Sequence, residues 1–322
     1  MRLVKIATLS RINYILKKRR EDYINICLSY VRQAGEARCD IICLPEWFDS
    51  FSSIELEVDS KRFYEKGYNV SSVVRNLAET IPGKMTDSFA QLAKEYRMHI
   101  VLPFIEKDSD QLFNTALVLN RTGDIAGKYR KTHLYPPEGR CMGITPGNKI
   151  SIIELDFGKI GIVICMEFYF PELFRILTLQ GAEIIFWPTQ SYGPTVSGVE
   201  MQFRARALDY NCHMVTSTFA SEDYYAPYVH GHESTGRSYV VNHDGVIIAD
   251  TGYYPGLAIA EVNLDKIRLN AEMVSMRHSG LDHMREDFMR IRRPELYDEI
   301  CRPINNTEYL SNTFFDEGEG TK

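Results

Sequence analysis

Apolar runs cut short by proline or a polar residue set the terms for how this chain can fold. "IICLP" at 41–45, "IVLPF" at 100–104, "IGIVIC" at 160–165 and "EIIFWP" at 183–188 are too short for ordinary helices. They lack the polar alternation of a half-exposed strand, so they read as strands covered on both faces. Between them the periodicity turns helical. Tyr23, Cys27, Tyr30 and Ala34 share one face, as do Phe203, Ala207 and Tyr210. Further helices are predicted from about Thr86 to Arg97 and from Pro171 to Gln180, the latter ended by Gly181. Turn residues at Thr122-Gly123-Asp124, Asp156-Phe157-Gly158 and Asn242-His243-Asp244-Gly245 mark hairpins. Strands that come partly in hairpins and partly between helices do not suit a simple doubly wound parallel sheet. The pattern predicts an α/β fold of two mixed sheets packed face to face with helices outside.

No Pro/Gly/Ser linker divides the chain, so residues 1–265 are expected to form one domain. Residues 266–300, rich in Arg and Met, read as a C-terminal helical arm rather than a core, and 301–322 as an acidic, disordered tail. A formal charge of −6 argues against a nucleic-acid partner, because phosphate binding needs concentrated positive charge. The basic run Lys17 to Arg20 is cancelled by Glu21 and Asp22. No run approaches the roughly 20 apolar residues that span a bilayer, and the N-terminus reads as a strand rather than a signal peptide. Seven cysteines at irregular spacing do not form a disulfide framework. A soluble, cytoplasmic protein is expected, in which the Asn-x-Ser/Thr triplets at Asn69, Asn120 and Asn305 arise by chance.

Polar residues at the ends of buried strands are where such folds gather chemistry. Four stand out: Glu46 after "IICLP", Lys131 after "IAGKYR", Glu138 in the loop "PPEGR", and Cys165 after "IGIVI". Taken alone, Cys165 is more simply a small core residue, Glu46 a solvated loop residue and Lys131 part of a basic surface. Together they make a sufficient set for acyl transfer. A thiol attacks as thiolate and needs a base; a desolvated carboxylate can serve; a lysine beside the acyl carbon stabilises the oxyanion.

The motifs "LPEWF", "GKYRKTHL" followed by "PPEGR…TPG", and "GIVICMEFYFPELFR" resemble, in order and spacing, the nitrilase superfamily of carbon–nitrogen hydrolases. "RARALDYNCHMV" and "GRSYVVNHDGVII" extend the similarity, which runs from about residue 3 to "RRPELY" near 292–297. The resemblance implies a four-layer α-β-β-α sandwich and a mechanism without cofactor or metal. Cys165 matches the nucleophile, Glu46 the general base and acid, Lys131 the cation that stabilises the tetrahedral intermediate, and Glu138 the second glutamate. The backbone N–H of Met166 is implied to join the oxyanion hole. Trp47, Met166, Glu167, Phe168, Gln190 and Tyr192 are the expected substrate contacts.

Met166-Glu167 after the cysteine departs both from the Trp-Glu of nitrilases and from the Asp-containing pattern of amidases and carbamoylases. The expected reaction is hydrolysis of a small carboxamide or N-carbamoyl compound with release of ammonia. A nitrilase and a catalytically silent binding subunit are the alternatives. The family also implies a homodimer or larger homo-oligomer, with water and a small amide, ureide or nitrile as the partners in reaction. "HGHE" at 230–233 lacks the further ligand that a metal site requires.

Overall fold

The computed structural model describes residues 1–11, 19–50, 54, 58–59, 62–63, 65–190, 196–220, 236–252, 254–266 and 292–302. One sheet has the strand order β12-β1-β2-β3-β4-β5, made of β1 (Leu3–Arg11), β2 (Ile41–Cys43), β3 (His99–Asp108), β4 (Gln111–Leu119), β5 (Ile125–Arg130) and β12 (Gly256–Asn263). The other runs β6-β7-β8-β9-β10-β11, from β6 (Ile153–Leu155), β7 (Gly158–Ile162), β8 (Ile184–Pro188), β9 (His213–Phe219), β10 (Tyr239–Val241) and β11 (Ile247–Asp250). Among the described residues, backbone pairing joins the two sheets where the ends of β1 and β9 meet, Ser10 with Thr218 and Arg11 with Phe219.

Read in the orders given, each sheet has the same succession of neighbour relations: antiparallel, parallel, parallel, antiparallel, antiparallel. No sequence repeat announces this. In each half a helix crosses over between the first two parallel strands: α1 (Arg20–Glu36) leads from β1 to β2, and α5 (Pro171–Leu179) from β7 to β8. The other crossovers carry α2 (Ser71–Leu77) with α3 (Lys84–Tyr96), and α6 (Val196–Tyr210). A short helix α4 (Pro136–Arg140) follows β5.

The side chains sort into layers as period-2 strands require. On β1, Val4 and Ile6 point between the sheets, whereas Ala7 and Leu9 point to α1 and α3. On β8, Ile184 and Phe186 point between the sheets, whereas Ile185 and Trp187 meet α5 and α6. Both faces are therefore apolar, which is why these runs show no alternation. On α1 the buried residues Tyr23, Cys27, Val31 and Ala34 recur every three or four positions, as one helix face demands. The layers are helix, sheet, sheet, helix, as the sequence predicts. Of the expected arm, 267–291 lies outside the described residues, as does 303–322 of the expected tail.

At the end of the sandwich remote from the ends of β2 and β7, a polar clip ties the sheets together. Asp156, in the β6–β7 turn, accepts from His99 Nε2 at 2.8 Å and Arg121 Nε at 2.7 Å, and Arg121 also reaches Asp40 at 2.7 Å.

A histidine pair lies inside the fold. His213, at the start of β9, is 2% exposed, and its ring stands edge-on to His243 at 5.3 Å. Burial, reinforced by repulsion from His243, lowers its pKa to about 3. The folded protein therefore refuses a proton that the unfolded chain accepts below about pH 6.5. The linkage costs nothing above that pH and erodes stability as pH falls toward 3, by about 1.4 kcal/mol per unit. His213→Leu should lose this part of the acid sensitivity. Urea unfolding at pH 6.5 and 4.5 is expected to show wild type losing about 2–3 kcal/mol more than the variant; parallel losses would show that His213 does not carry the effect.

Candidate active site

The carboxyl ends of β2, β5 and β7 converge on one side of the sandwich. β2 ends at Cys43, Leu44 and Pro45 follow, and the chain turns through Trp47, whose φ of +48° is left-handed, leaving Glu46 just beyond the strand end. Lys131 directly follows β5. Its N–H donates to Asn114 O at 2.8 Å, and its carbonyl accepts from Gly147 N at 2.8 Å. Gly147 is required there, since a Cβ would lie 2.2 Å from Arg130 O. The segment containing Glu138 is not the loop its prolines suggest. It forms α4, with Pro at its start, a position where the missing N–H costs no hydrogen bond.

These residues form a buried cluster. Lys131 Nζ lies 2.7 Å from Glu138 Oε2 and 3.2 Å from Glu46 Oε1. All three side chains are at most 3% exposed. Asn114, on β4 and fully buried, donates both amide hydrogens: one to Glu46 Oε1 and one to Glu138 Oε1, each at 2.7 Å. Glu138 also accepts from Tyr135 N at 2.6 Å, so both of its oxygens are engaged. Glu46 Oε2, in contrast, accepts no hydrogen bond among the described residues.

Burial alone would lower the Lys131 pKa, but attraction to Glu138 and Glu46 outweighs it and holds the ammonium well above its usual range. Burial raises the pKa of Glu138, helped by repulsion from Glu46 and opposed by Lys131. Only paired and hydrogen-bonded charges are tolerated at this depth.

Cys165 faces the cluster from the other sheet. Ile164 is extended; Cys165 turns to φ +51° and begins a 3₁₀ turn through Tyr169. A non-glycine residue held there stores strain on the order of 1–3 kcal/mol. Trp187 Nε1 holds the Cys165 carbonyl at 2.8 Å, anchoring the turn to β8. Burial pushes the thiol up to about 12; Glu46 and Glu138 push the same way, while Lys131 and the Gln190 backbone pull it down.

The expected substrate contacts separate. Met166 and Gln190 are partly exposed beside the cluster, and Gln190 Nε2 donates to Glu46 O at 3.4 Å. Trp47 is buried in a small apolar group with Ile54, Val74 and Met142, placed to keep water from Glu46 rather than to present a face. The substrate-facing position expected for Glu167 and Phe168 is not where they lie. Phe168 is 1% exposed and stacks on Trp187 at 4.4 Å. Glu167 has no exposed surface, and both its oxygens are occupied by internal donors. Tyr192 and the "HGHE" segment lie outside the described residues.

One neighbour escaped the sequence reading. Asn114 shows there only as a polar residue opening an apolar strand. Tyr169 is 52% exposed, and its hydroxyl is raised by burial and by the nearby Cys165.

Known proteins resemble the chain along most of its length. The chain is 28% identical over 287 residues to omega-amidase NIT2-B of Xenopus laevis, covering 86% of this chain and 95% of that one. It is 27% identical over 303 residues to deaminated glutathione amidase of Bos taurus, covering 89% and 82%. Among solved structures, a carbon-nitrogen hydrolase from Helicobacter pylori shares the fold at TM-score 0.72 and 21% identity, covering 94% of this chain and 99% of that one. A double mutant of the amidase from Nesterenkonia sp. in complex with acrylamide does so at TM-score 0.67 and 17% identity, covering 93% and 98%. Residues 7–271 match the carbon-nitrogen hydrolase family as a whole, and the chain belongs to that family.

Proposed function

We propose that the protein is an amidase that cleaves a small carboxamide through a thioester on Cys165. The observation that carries this reading is the lysine shared between two buried carboxylates beside a cysteine held in a strained strand-end turn. Names of the relatives, omega-amidase and deaminated glutathione amidase, favour an amide over a ureide or a nitrile.

With the thiol pushed up to about 12, a standing thiolate is scarce at neutral pH. Proton removal and attack therefore occur together. Glu46, with Oε2 unoccupied, takes the proton as sulfur bonds to the carbonyl carbon. The oxygen gains the displaced electron pair and is stabilised by Lys131 and the Met166 N–H. Collapse breaks the C–N bond, and Glu46 returns the proton to the departing nitrogen, which leaves as ammonia. Water then loses a proton to Glu46 and attacks the thioester, expelling sulfur, which recovers that proton. Glu138, with both oxygens committed, holds Lys131 in place rather than carrying protons.

Cys165→Ala should remove amide turnover, by at least about 1000-fold in released ammonia, with the thermal midpoint little changed. Undiminished ammonia release from every amide hydrolysed by wild type would sink the reading. Brief acid quench of wild type with substrate should leave the acyl group on the peptide containing Cys165, detectable by mass.

An amide and a nitrile of one carbon skeleton, assayed side by side, should show the amide turned over in preference. Faster consumption of the nitrile would make the protein a nitrilase instead.

We also propose a cytoplasmic homo-oligomer. Among the described residues no helix is long and apolar enough to cross a membrane. Met201 and Leu208 on α6, seven residues apart, are 71% and 59% exposed, large apolar side chains that a second copy would cover. Light scattering should give the mass of at least two chains, reduced by Leu208→Glu; a wild-type monomer would count against the assembly.

A further inference from the structure

Glu167 directs its two oxygens to different halves of the molecule. Oε2 accepts from Ile164 N at 2.8 Å, one residue before Cys165. Oε1 accepts from Tyr129 Oη at 2.6 Å, Thr132 N and Thr132 Oγ1 at 2.7 Å, and His133 N at 3.1 Å. These donors bracket Lys131 on both sides in sequence. The carboxylate is thus a strut between the nucleophile's turn, at the end of β7, and the lysine's segment, at the end of β5. Those two segments belong to opposite sheets.

We propose that Glu167 is a positioning residue, setting the separation of the Cys165 sulfur from the Lys131 ammonium by tying their two backbones to one buried carboxylate. The inference rests on the reading of Cys165 and Lys131 given above. Three features support a part in the chemistry beyond ordinary packing. The strut ends one residue from the nucleophile and one from the lysine. A carboxylate is acceptor-only, so it alone matches a ring made entirely of donors. Burial would raise its pKa, but hydrogen bonds from His133, Tyr129, Ile164 and Thr132 more than offset this and keep it ionised. A glutamine there would turn an NH₂ toward one set of N–H groups, releasing one end of the strut.

The test uses iodoacetamide alkylation of Cys165, followed by the mass of its peptide, in wild type, Glu167→Gln, Lys131→Gln and the double variant. If Glu167 acts through Lys131, Glu167→Gln slows alkylation about tenfold with the lysine present and leaves the rate within about twofold once the lysine is gone. Equal fold-losses in both backgrounds would overturn the proposal. Amide turnover should split in the same sense, kcat falling about 100-fold while KM stays within about threefold.

Should Glu167→Gln fold poorly, Tyr129→Phe removes a single donor. It should lower kcat about fivefold with KM and melting temperature nearly unchanged; an unaltered kcat in the folded variant would refute the strut. Alkylation reads the thiol whether or not any amide is hydrolysed, so failure of the amidase reading and failure of the strut are separate results.

Discussion

An ammonium group buried between two carboxylates governs this structure. Taking three charged groups out of water is costly, and the geometry must return that cost through short, well-aligned contacts. Lys131 achieves this against Glu46 and Glu138, and Asn114 spans the carboxylates so that neither turns away. The arrangement needs strand ends from several places in the chain brought within a few ångströms. It therefore needs a rigid sheet behind each of them, and the surrounding fold supplies that rigidity. Even the glycine of "TPG" serves it, by letting the chain lie against the carbonyl beside the lysine.

Two sheets with the same succession of strand relations give the site its division of labour. The glutamates, the lysine and Asn114 come from one half; the thiol comes from the other. In the mechanism proposed above, the proton passes between a base on one sheet and a sulfur on the next. Neither half contains a complete set of reacting groups, although each repeats the other's topology.

Much of this was legible in the sequence, and the reasons are physical. Apolar runs without alternation report strands covered on both faces, which is why the layered architecture can be read from Ile41 to Leu44 or Ile184 to Trp187. Glu46 and Cys165 are visible because each interrupts such a run at its end, and Lys131 because it follows a strand within a motif. What could not be read depends on contacts remote in sequence. Asn114 looks like an ordinary strand residue until it is seen 68 positions from Glu46 and 24 from Glu138. Glu167 invites a substrate role because it stands two residues after the nucleophile. Only the fold reveals that its side chain turns inward, since the donors that claim Oε1 lie 34 to 38 residues earlier. Helix α4 was hidden by prolines that also mark loops.

The apolar layer between the sheets acquires a further meaning from this geometry. Ile6, Ile41, Val101 and Val118 on one side meet Ile160, Ile184, Phe186 and Val215 on the other, all buried. Protein interiors are packed as densely as organic crystals, so the volumes of these side chains determine how far apart the sheets stand. That spacing is also the distance across which, in the proposed mechanism, the thiol meets its base and its cation. The core is thus a shim as well as a source of stability: a methylene gained or lost far from any reacting atom alters the gauge of the catalytic gap.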